Sequence, residues 1–336
     1  MAERNTARSR GARALAAGAT LCFALGTTGA GAQGDGPGPA QPLQAAVDGA
    51  NGEGRIETPG RTCAEGGTGA YWNYDYSAPL AQGAFSYQPG DLRLHLALHS
   101  DSVRFPNTEV PVLAEGPQAF LQGSDSHASL ANSRGTVTLR LRSGSCDTPT
   151  LGFDGVHASG SGTWEIESGE GSYREASGSG TFDLAADVAP GADNPFALQL
   201  DGDVVVLQPE LDVEVLGSYW GSLGTDYLSR RVTVVYRVSN EGAGDAFGAE
   251  VESITSSTAG VTPIGGTHLP LGDLPAGDSE VVALRFQLGL LGPCQLVILN
   301  CAFSTQTDVS WTDALDTSRP ASATNAASAP NLPPPL

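Results

Sequence analysis

The sequence has no lysine: all seventeen of its basic residues are arginine, against 37 acidic ones, for a net charge of −20. A balance this acidic argues against nucleic acid or an anionic membrane as partner, while leaving divalent cations open as ligands. No segment keeps a helical apolar period with caps, which sets aside helical bundles and the helix N-terminal phosphate sites that come with them. No G-x-S-x-G elbow, H-E-x-x-H pair or glycine-rich loop opening a helix occurs. The SGSG segments share only composition with phosphate loops. Cysteine is scarce, at five residues, and no C-x-x-C pair with a nearby histidine suggests zinc.

The scarce residues that remain are informative. Arg4, Arg8, Arg10 and Arg13 precede the apolar run Ala14 to Leu25, and Ala30-Gly-Ala32 offers a small-x-small cleavage site before Gln33. That order predicts a cleaved secretory leader over 1–32, its apolar run too short to span a bilayer. The leader's four Arg and one Glu, net +3, leave the mature chain at −23. Four cysteines then remain, Cys63, Cys146, Cys294 and Cys301, an even number that reads as disulfides in an exported chain. Sequence position favours Cys63–Cys146 and Cys294–Cys301. Closing the longer loop should stabilise by roughly 4 kcal/mol.

What the chain has in abundance is period-two alternation between glycine clusters. The unit Ala158-Ser-Gly-Ser-Gly-Thr-Trp164 returns as Ala176-Ser-Gly-Ser-Gly-Thr-Phe182, with Gly169-Glu-Gly-Ser-Tyr173 between them as a chain reversal. This predicts a central antiparallel hairpin whose strand glycines mark bulges or bends. Leu92, Leu94, Leu96 and Leu98 alternate with Arg93, His95, Ala97 and His99. Val137, Leu139 and Leu141 alternate with Thr138, Arg140 and Arg142. Phe196, Leu198 and Leu200 follow. With the aromatic cluster Tyr71, Trp72, Tyr74 and Tyr76, these strands predict an all-β domain over 61–208, an antiparallel β-barrel or curled sandwich.

Before it, 33–60 is rich in Gly, Pro, Ala and Gln and reads as a disordered leader. Asp48 to Glu53 fails as a calcium loop because Ala50 occupies a ligand position. After Pro209 a second strand series begins: Leu211/Val213/Val215, Val232/Val234/Tyr236/Val238, Val282/Leu284/Phe286/Leu288, then Thr307/Val309/Trp311 with Asp313 and Asp316 beyond. This predicts a second domain over 209–317. The Pro/Ala-rich 318–336 reads as a disordered tail without an apolar anchor, so the mature chain should be released.

Two resemblances sharpen the expectation. Gly169-Glu-Gly-Ser-Tyr-Arg-Glu-Ala-Ser-Gly-Ser-Gly-Thr-Phe182 resembles the GTGxYxGATGSGTF hairpin of exported bacterial barrels of the allene oxide cyclase and dirigent type. It departs from them at Arg174-Glu175, where small residues are usual. The likeness implies an eight-stranded barrel and carries no catalytic residue to this chain. The segments VTVVYRVSNEGAGDAFGAEV and LGDLPAGDSEVVALRFQL resemble the bacterial immunoglobulin-like module called CARDB. They imply a seven-strand immunoglobulin-like sandwich, into which the Cys294–Cys301 hairpin is an insertion.

Arg93, His95, His99, Arg140 and Arg142 make a candidate polar ligand site with a general base or an anion contact. The plainer reading, the solvated outer face of half-buried strands, carries more weight. Asp193, Asp201 and Asp203 are candidate calcium ligands; no other cofactor is expected. Asp273 and Asp278 suit turn geometry. Trp72, Trp164, Trp220 and Trp311 read as core or domain-interface residues, though an exposed Trp–Tyr platform would suit a glycan or an apolar ligand. The expected function is that of a secreted, non-catalytic recognition or adhesion protein, extracellular or periplasmic. The alternative is a small-molecule-binding, isomerase-like barrel on an accessory sandwich. The partner would be an extracellular protein, a glycan or a small apolar ligand, with no nucleic acid and no membrane insertion.

Overall fold

The computed structural model describes residues 37–49, 51–57, 70–80, 90–100, 103–104, 112–113, 120–121, 126–142, 151–153, 157–187, 194–221, 223–290, 294 and 301–330. The leader expected over 1–32, Cys63, Cys146 and Asp193 lie outside them. The chain is nearly all strand. Its first part runs β1 (Gln41–Gly49), β2 (Asn51–Glu57), β3 (Ala70–Leu80), β4 (Gly90–Ser100), β5 (Val103–Arg104), β6 (Val112–Leu113) and β7 (Phe120–Leu121). It continues with β8 (His127–Asn132), β9 (Gly135–Arg142), β10 (Leu151–Phe153), β11 (His157–Gly171), β12 (Ser177–Asp187) and β13 (Phe196–Val205). Apart from the small β5–β6 pair, these form one antiparallel sheet in the order β1-β13-β12-β11-β9-β8-β4-β3-β2, with β10 on β11 and β7 on β4.

The sheet curls into a half-barrel that brings β1 back against β3. Tyr76 of β3 reaches across the gap: its hydroxyl donates to the Asp187 carbonyl at 2.8 Å, and its ring lies 5.1 Å from Phe196. The concave face is the core. Leu92, Leu94, Leu96, Val137, Leu139 and Leu141 point into it, as the alternation predicts. Leu98, Trp72 and their strand neighbours have side chains outside the described residues.

The repeated unit has a packing explanation. In the β11–β12 register Trp164 faces Gly180, and Gly162 faces Phe182; Gly180 faces Gly202 on β13. The aromatic of each copy therefore lies over the glycine of the other. A Cβ on Gly180 would meet the Trp164 ring at 2.7 Å, one on Gly202 would meet it at 2.6 Å, and one on Gly162 would meet Phe182 at 2.7 Å. The indole Nε1 donates to the Thr181 carbonyl at 3.0 Å. These glycines were expected to mark bulges. Their φ values are not positive, and the one register slip between β11 and β9 falls at Ile166/Ser168. The glycines clear space for rings on the concave face; they do not bend the strands.

The remaining strands are β14 (Leu211–Trp220), β15 (Arg231–Asn240), β16 (Ala246–Ser256), β17 (Val261–Ile264), β18 (Leu269–Leu274), β19 (Ser279–Leu288), β20 (Ala302–Thr312) and β21 (Ser318–Ser328), with one π-helical turn at Leu223–Tyr227. They form two four-stranded sheets, β14-β15-β19-β17 and β18-β16-β20-β21. The inner faces share a second core; Phe286 and Phe303, one from each sheet, sit 5.7 Å apart. Burial pushes the Tyr236 phenol in this core up to about 12, despite the opposing effect of the Thr305 hydroxyl beside it. Cys294 and Cys301 are disulfide-bonded with Cα atoms 5.1 Å apart, the pairing expected. Arg230 donates to the carbonyls of Leu288 and Gly289 at 3.0 and 2.8 Å, and to that of Cys294, holding Cys294 to the sheet end.

Two segments expected to be disordered are strands. β1 pairs with β13 at nine successive positions and places Leu43 and Ala45 in the first core. β2 pairs with β3, and β21 pairs with β20 at all eleven of its positions. Each has few large apolar residues but lies against a strongly patterned neighbour, so tertiary pairing overrides weak local preference.

The two cores meet at a polar junction. The β8–β9 turn carries Arg134, whose Nη2 lies 2.6 Å from Asp316 Oδ1 with both side chains under 10 % exposed. Its Nη1 donates to the carbonyls of Asp313 and Ala314 at 3.2 and 3.1 Å, and the guanidinium sits 4.0 Å over the Phe247 ring. Asp313, fully buried, accepts from the amides of Leu315 and Thr317 and from Gln41 Nε2, shaping the loop that Arg134 grips. Ala314 is buried in the first core. Arg174, the departure from the barrel hairpin pattern, donates to the Ala243 carbonyl at 2.7 Å and pairs with Asp245 at 3.3 Å.

Candidate functional site

Strand register builds the site on the convex face of the half-barrel. Reading across the sheet, Glu53 pairs with Asp75, Asp75 with His95, His95 with His127, His127 with Arg140, Arg140 with Glu165, Glu165 with Ser179, and Ser179 with Asp203. One transverse row thus crosses eight strands. His95 Nδ1 lies 2.7 Å from Asp75 Oδ1, and the His95 and His127 rings stack at 5.0 Å and 27°. Arg140 pairs with Glu167 and lies 4.0 Å from Glu165 Oε1, to which Arg142 Nη2 donates at 2.6 Å. The imidazoles and guanidinium of His95, His127 and Arg140 thus lie side by side, bounded by Asp75 on one flank and by Glu165 and Glu167 on the other.

The structure therefore brings together His95, Arg140 and Arg142 of the expected ligand residues. Arg93 is one row away, opposite Ser129 and exposed. The His99 side chain lies outside the described residues. His127 was missed by sequence reasoning: its partners come from register between strands, and the short stretch HASLAN gives no local sign of them.

Beside the ladder the convex face changes chemistry. Ser159, Ser161, Thr163, Ser179 and Thr181 present exposed hydroxyls on β11 and β12, with Asp183, Asp201 and Asp203 exposed at their margin. They stand outward because the intervening glycines and rings turn inward. Asp201 faces Thr181 and Gln44, and Asp203 faces Ser179 and Pro42. These two candidate calcium ligands are flanked by hydroxyls, an amide and proline. Among the described residues, the three-donor set able to hold a metal ion lies elsewhere, at Glu250, Glu252 and His268.

The concave face offers no counterpart. Among the described residues, the buried polar side chains near the first core are Ser126, Ser172 and Asn194; the rest of the face is Leu, Val, Ala, Phe, Trp and Tyr. Several motifs of the second part have structural work. Asn240, buried, donates to the Gly244 and Leu274 carbonyls and accepts from the amides of Glu210 and Gly242, filling its whole hydrogen-bonding capacity. Asp273 accepts from the Gly248 amide at 2.9 Å, the turn role expected for it. Trp164 and Trp311 are core residues. No described helix is long and apolar enough to cross a membrane. No protein-family model matches the chain, and no curated protein matches it.

Proposed function

We propose that this is an exported, non-catalytic recognition protein whose convex half-barrel face binds a polar extracellular partner, a glycan or a hydrophilic protein surface. The observation that carries the reading is the division between the faces. The concave face is filled with apolar side chains, while the convex face presents exposed hydroxyls beside an ion-pair ladder. Hydroxyls and carboxylates at strand spacing suit many parallel hydrogen bonds to a polar partner and little apolar burial. The sandwich, here taken as CARDB-like, serves as a support, and the Arg134 junction sets how it presents the barrel. Export is supported by the leader pattern and the Cys294–Cys301 disulfide.

The experiment is retention of the mature chain on immobilised neutral and cationic polysaccharides and on hydrophilic extracellular proteins, compared with Thr163→Arg/Thr181→Arg. Both residues are exposed, so the variant should keep its unfolding midpoint and lose at least tenfold in retention. Equal retention by both proteins would move recognition off this face, and failure of the wild type to bind any of the surfaces would overturn the reading.

A further inference from the structure

A second chemical feature lies on the outer face of the β18-β16-β20-β21 sheet. Glu250 and Glu252 are both on β16, and the register with β20 slips between Val251 and Ser253, leaving Glu252 as the extra residue of a bulge. Bulges re-aim side chains. On the other side, β16 pairs Glu250 with Pro270 and Val251 with Leu269, so His268 stands at the next position, opposite Glu252. One donor atom from each of Glu250, Glu252 and His268 lies within 4.8 Å of the other two.

The imidazole sits between the carboxylates. His268 Nε2 is 3.3 Å from Glu250 Oε2, and Nδ1 is 3.9 Å from Glu252 Oε2. A neutral imidazole has one N–H and one lone pair, so it can satisfy one carboxylate while aiming its lone pair at the other. The arrangement calls for a cation: a proton on the ring, or a metal ion that accepts the lone pair and one oxygen from each glutamate. The Ser310 hydroxyl stands 2.8 Å from Glu252 Oε1 and 3.4 Å from Glu250 Oε1. It steadies the far oxygens and leaves both Oε2 atoms toward His268, as an outer-shell group does.

We propose that Glu250, Glu252 and His268 bind a borderline divalent cation, with zinc(II) as the reference ion. One nitrogen and two carboxylate oxygens are a three-ligand zinc set, with water completing the tetrahedron. Tetrahedral donors about 2.0–2.1 Å from zinc stand about 3.3 Å from one another. No two of the three donor atoms here are more than 4.8 Å apart, so closing on the ion needs only a modest turn of side chains at the surface. Calcium takes six to eight oxygen ligands and gains nothing from imidazole. The chain's large negative charge raises the local concentration of any cation.

The test is calorimetric titration of zinc chloride into the mature, chelator-treated chain at pH 7.5, with calcium chloride as comparison. The expected result is a saturable zinc site, weakened at least tenfold by Glu252→Gln and by His268→Gln, with no comparable calcium binding. Circular dichroism and unfolding midpoints of both variants should match the wild type, so that lost binding reports the ligands. The chain has five histidines, so stoichiometry matters: His268→Gln should hold one zinc fewer. Equal stoichiometry and affinity in wild type and His268→Gln would overturn the proposal. So would absence of saturable zinc binding in the wild type, which would leave the proton as the cation between the carboxylates.

Discussion

The half-barrel and the sandwich solve the same problem, filling the space between strands, in different ways. The half-barrel sets large rings over glycines, so that Trp164 spans Gly180 and Gly202 and Phe182 covers Gly162. The sandwich uses branched aliphatics in strict alternation, Val232, Val234 and Val238 on one strand, and fixes its ends with a saturated Asn240 and a disulfide. In the first part specificity lies in matched pairs across strands, where a two-residue slip would set Trp164 against Phe182. In the second it lies in the turns. Damage to a matched pair should therefore cost more than damage to a strap.

The largest effect is expected at the ring–glycine pairs. Trp164→Ala should destabilise the half-barrel by about 3–5 kcal/mol. Gly180→Val should do comparable harm although Val is the better strand former, because a Cβ there meets both the Trp164 ring and the Asp201 carbonyl. Urea unfolding followed by tryptophan fluorescence measures both. A neutral Gly180→Val would mean that the two regions are packed on the same principle after all.

Next is the junction. Arg134→Met removes the buried guanidinium beside Asp316 and one donor each from the Asp313 and Ala314 carbonyls, at a cost of about 3 kcal/mol. Arg134→Met/Asp316→Asn should be milder than the single change, since no carboxylate is then buried without its arginine. Fragments ending at Leu207 and starting at Pro209 sharpen the comparison further. If each folds alone, the junction positions two domains; if the second unfolds early, the loop shaped by Asp313 depends on the half-barrel beneath it.

Much of this was legible in the sequence. The alternation of Leu92 to Leu96 and Val137 to Leu141, the repeated hairpin and the sandwich strands all carry their own period, and each was placed correctly. The edge strands were not: SRPASATNAAS and QPLQAAVDG have no strong pattern and become strands because β20 and β13 offer them a complete ladder. Arg134 and His127 were invisible for a related reason. A lone Arg in a turn and a lone His on a short strand acquire meaning only from residues 182 positions away or on the neighbouring strand. The reciprocal Trp/Gly spacing was present in the repeat; it becomes readable once the antiparallel register is known.

A smaller loss should follow from breaking the sandwich's covalent strap. Replacing Cys294 and Cys301 by serine reopens a loop of sequence separation 7, a cost of about 2.5 kcal/mol on loop entropy alone. Arg230 still ties position 294 to the sheet end through its carbonyl, so the fold should persist with a lower midpoint. The sandwich transition should shift and the half-barrel transition should not. Equal shifts in both would show that the junction transmits stability between them.

The smallest effect concerns pH at the junction. Burial raises the Asp245 pKa, but hydrogen bonds from Ser172, Arg174 and the Ala276 amide, together with the Arg174 charge, outweigh it and hold the carboxyl below its usual value. A carboxylate with a depressed folded pKa contributes stability that is fully present above the unfolded value, near 4, and is lost as pH falls through the lower folded value. Arg174 is almost half exposed, so solvent screening limits the pair to about 1 kcal/mol or less. Arg174→Gln should therefore destabilise slightly at pH 7 and approach wild type as pH falls through the depressed folded value of Asp245. Denaturant midpoints for the pair of proteins from pH 7 to pH 2.5 measure the convergence. A gap that stays constant across that range would assign the contribution of Arg174 to its bond with the Ala243 carbonyl and not to charge, and would make this contact a strap like the others in the sandwich.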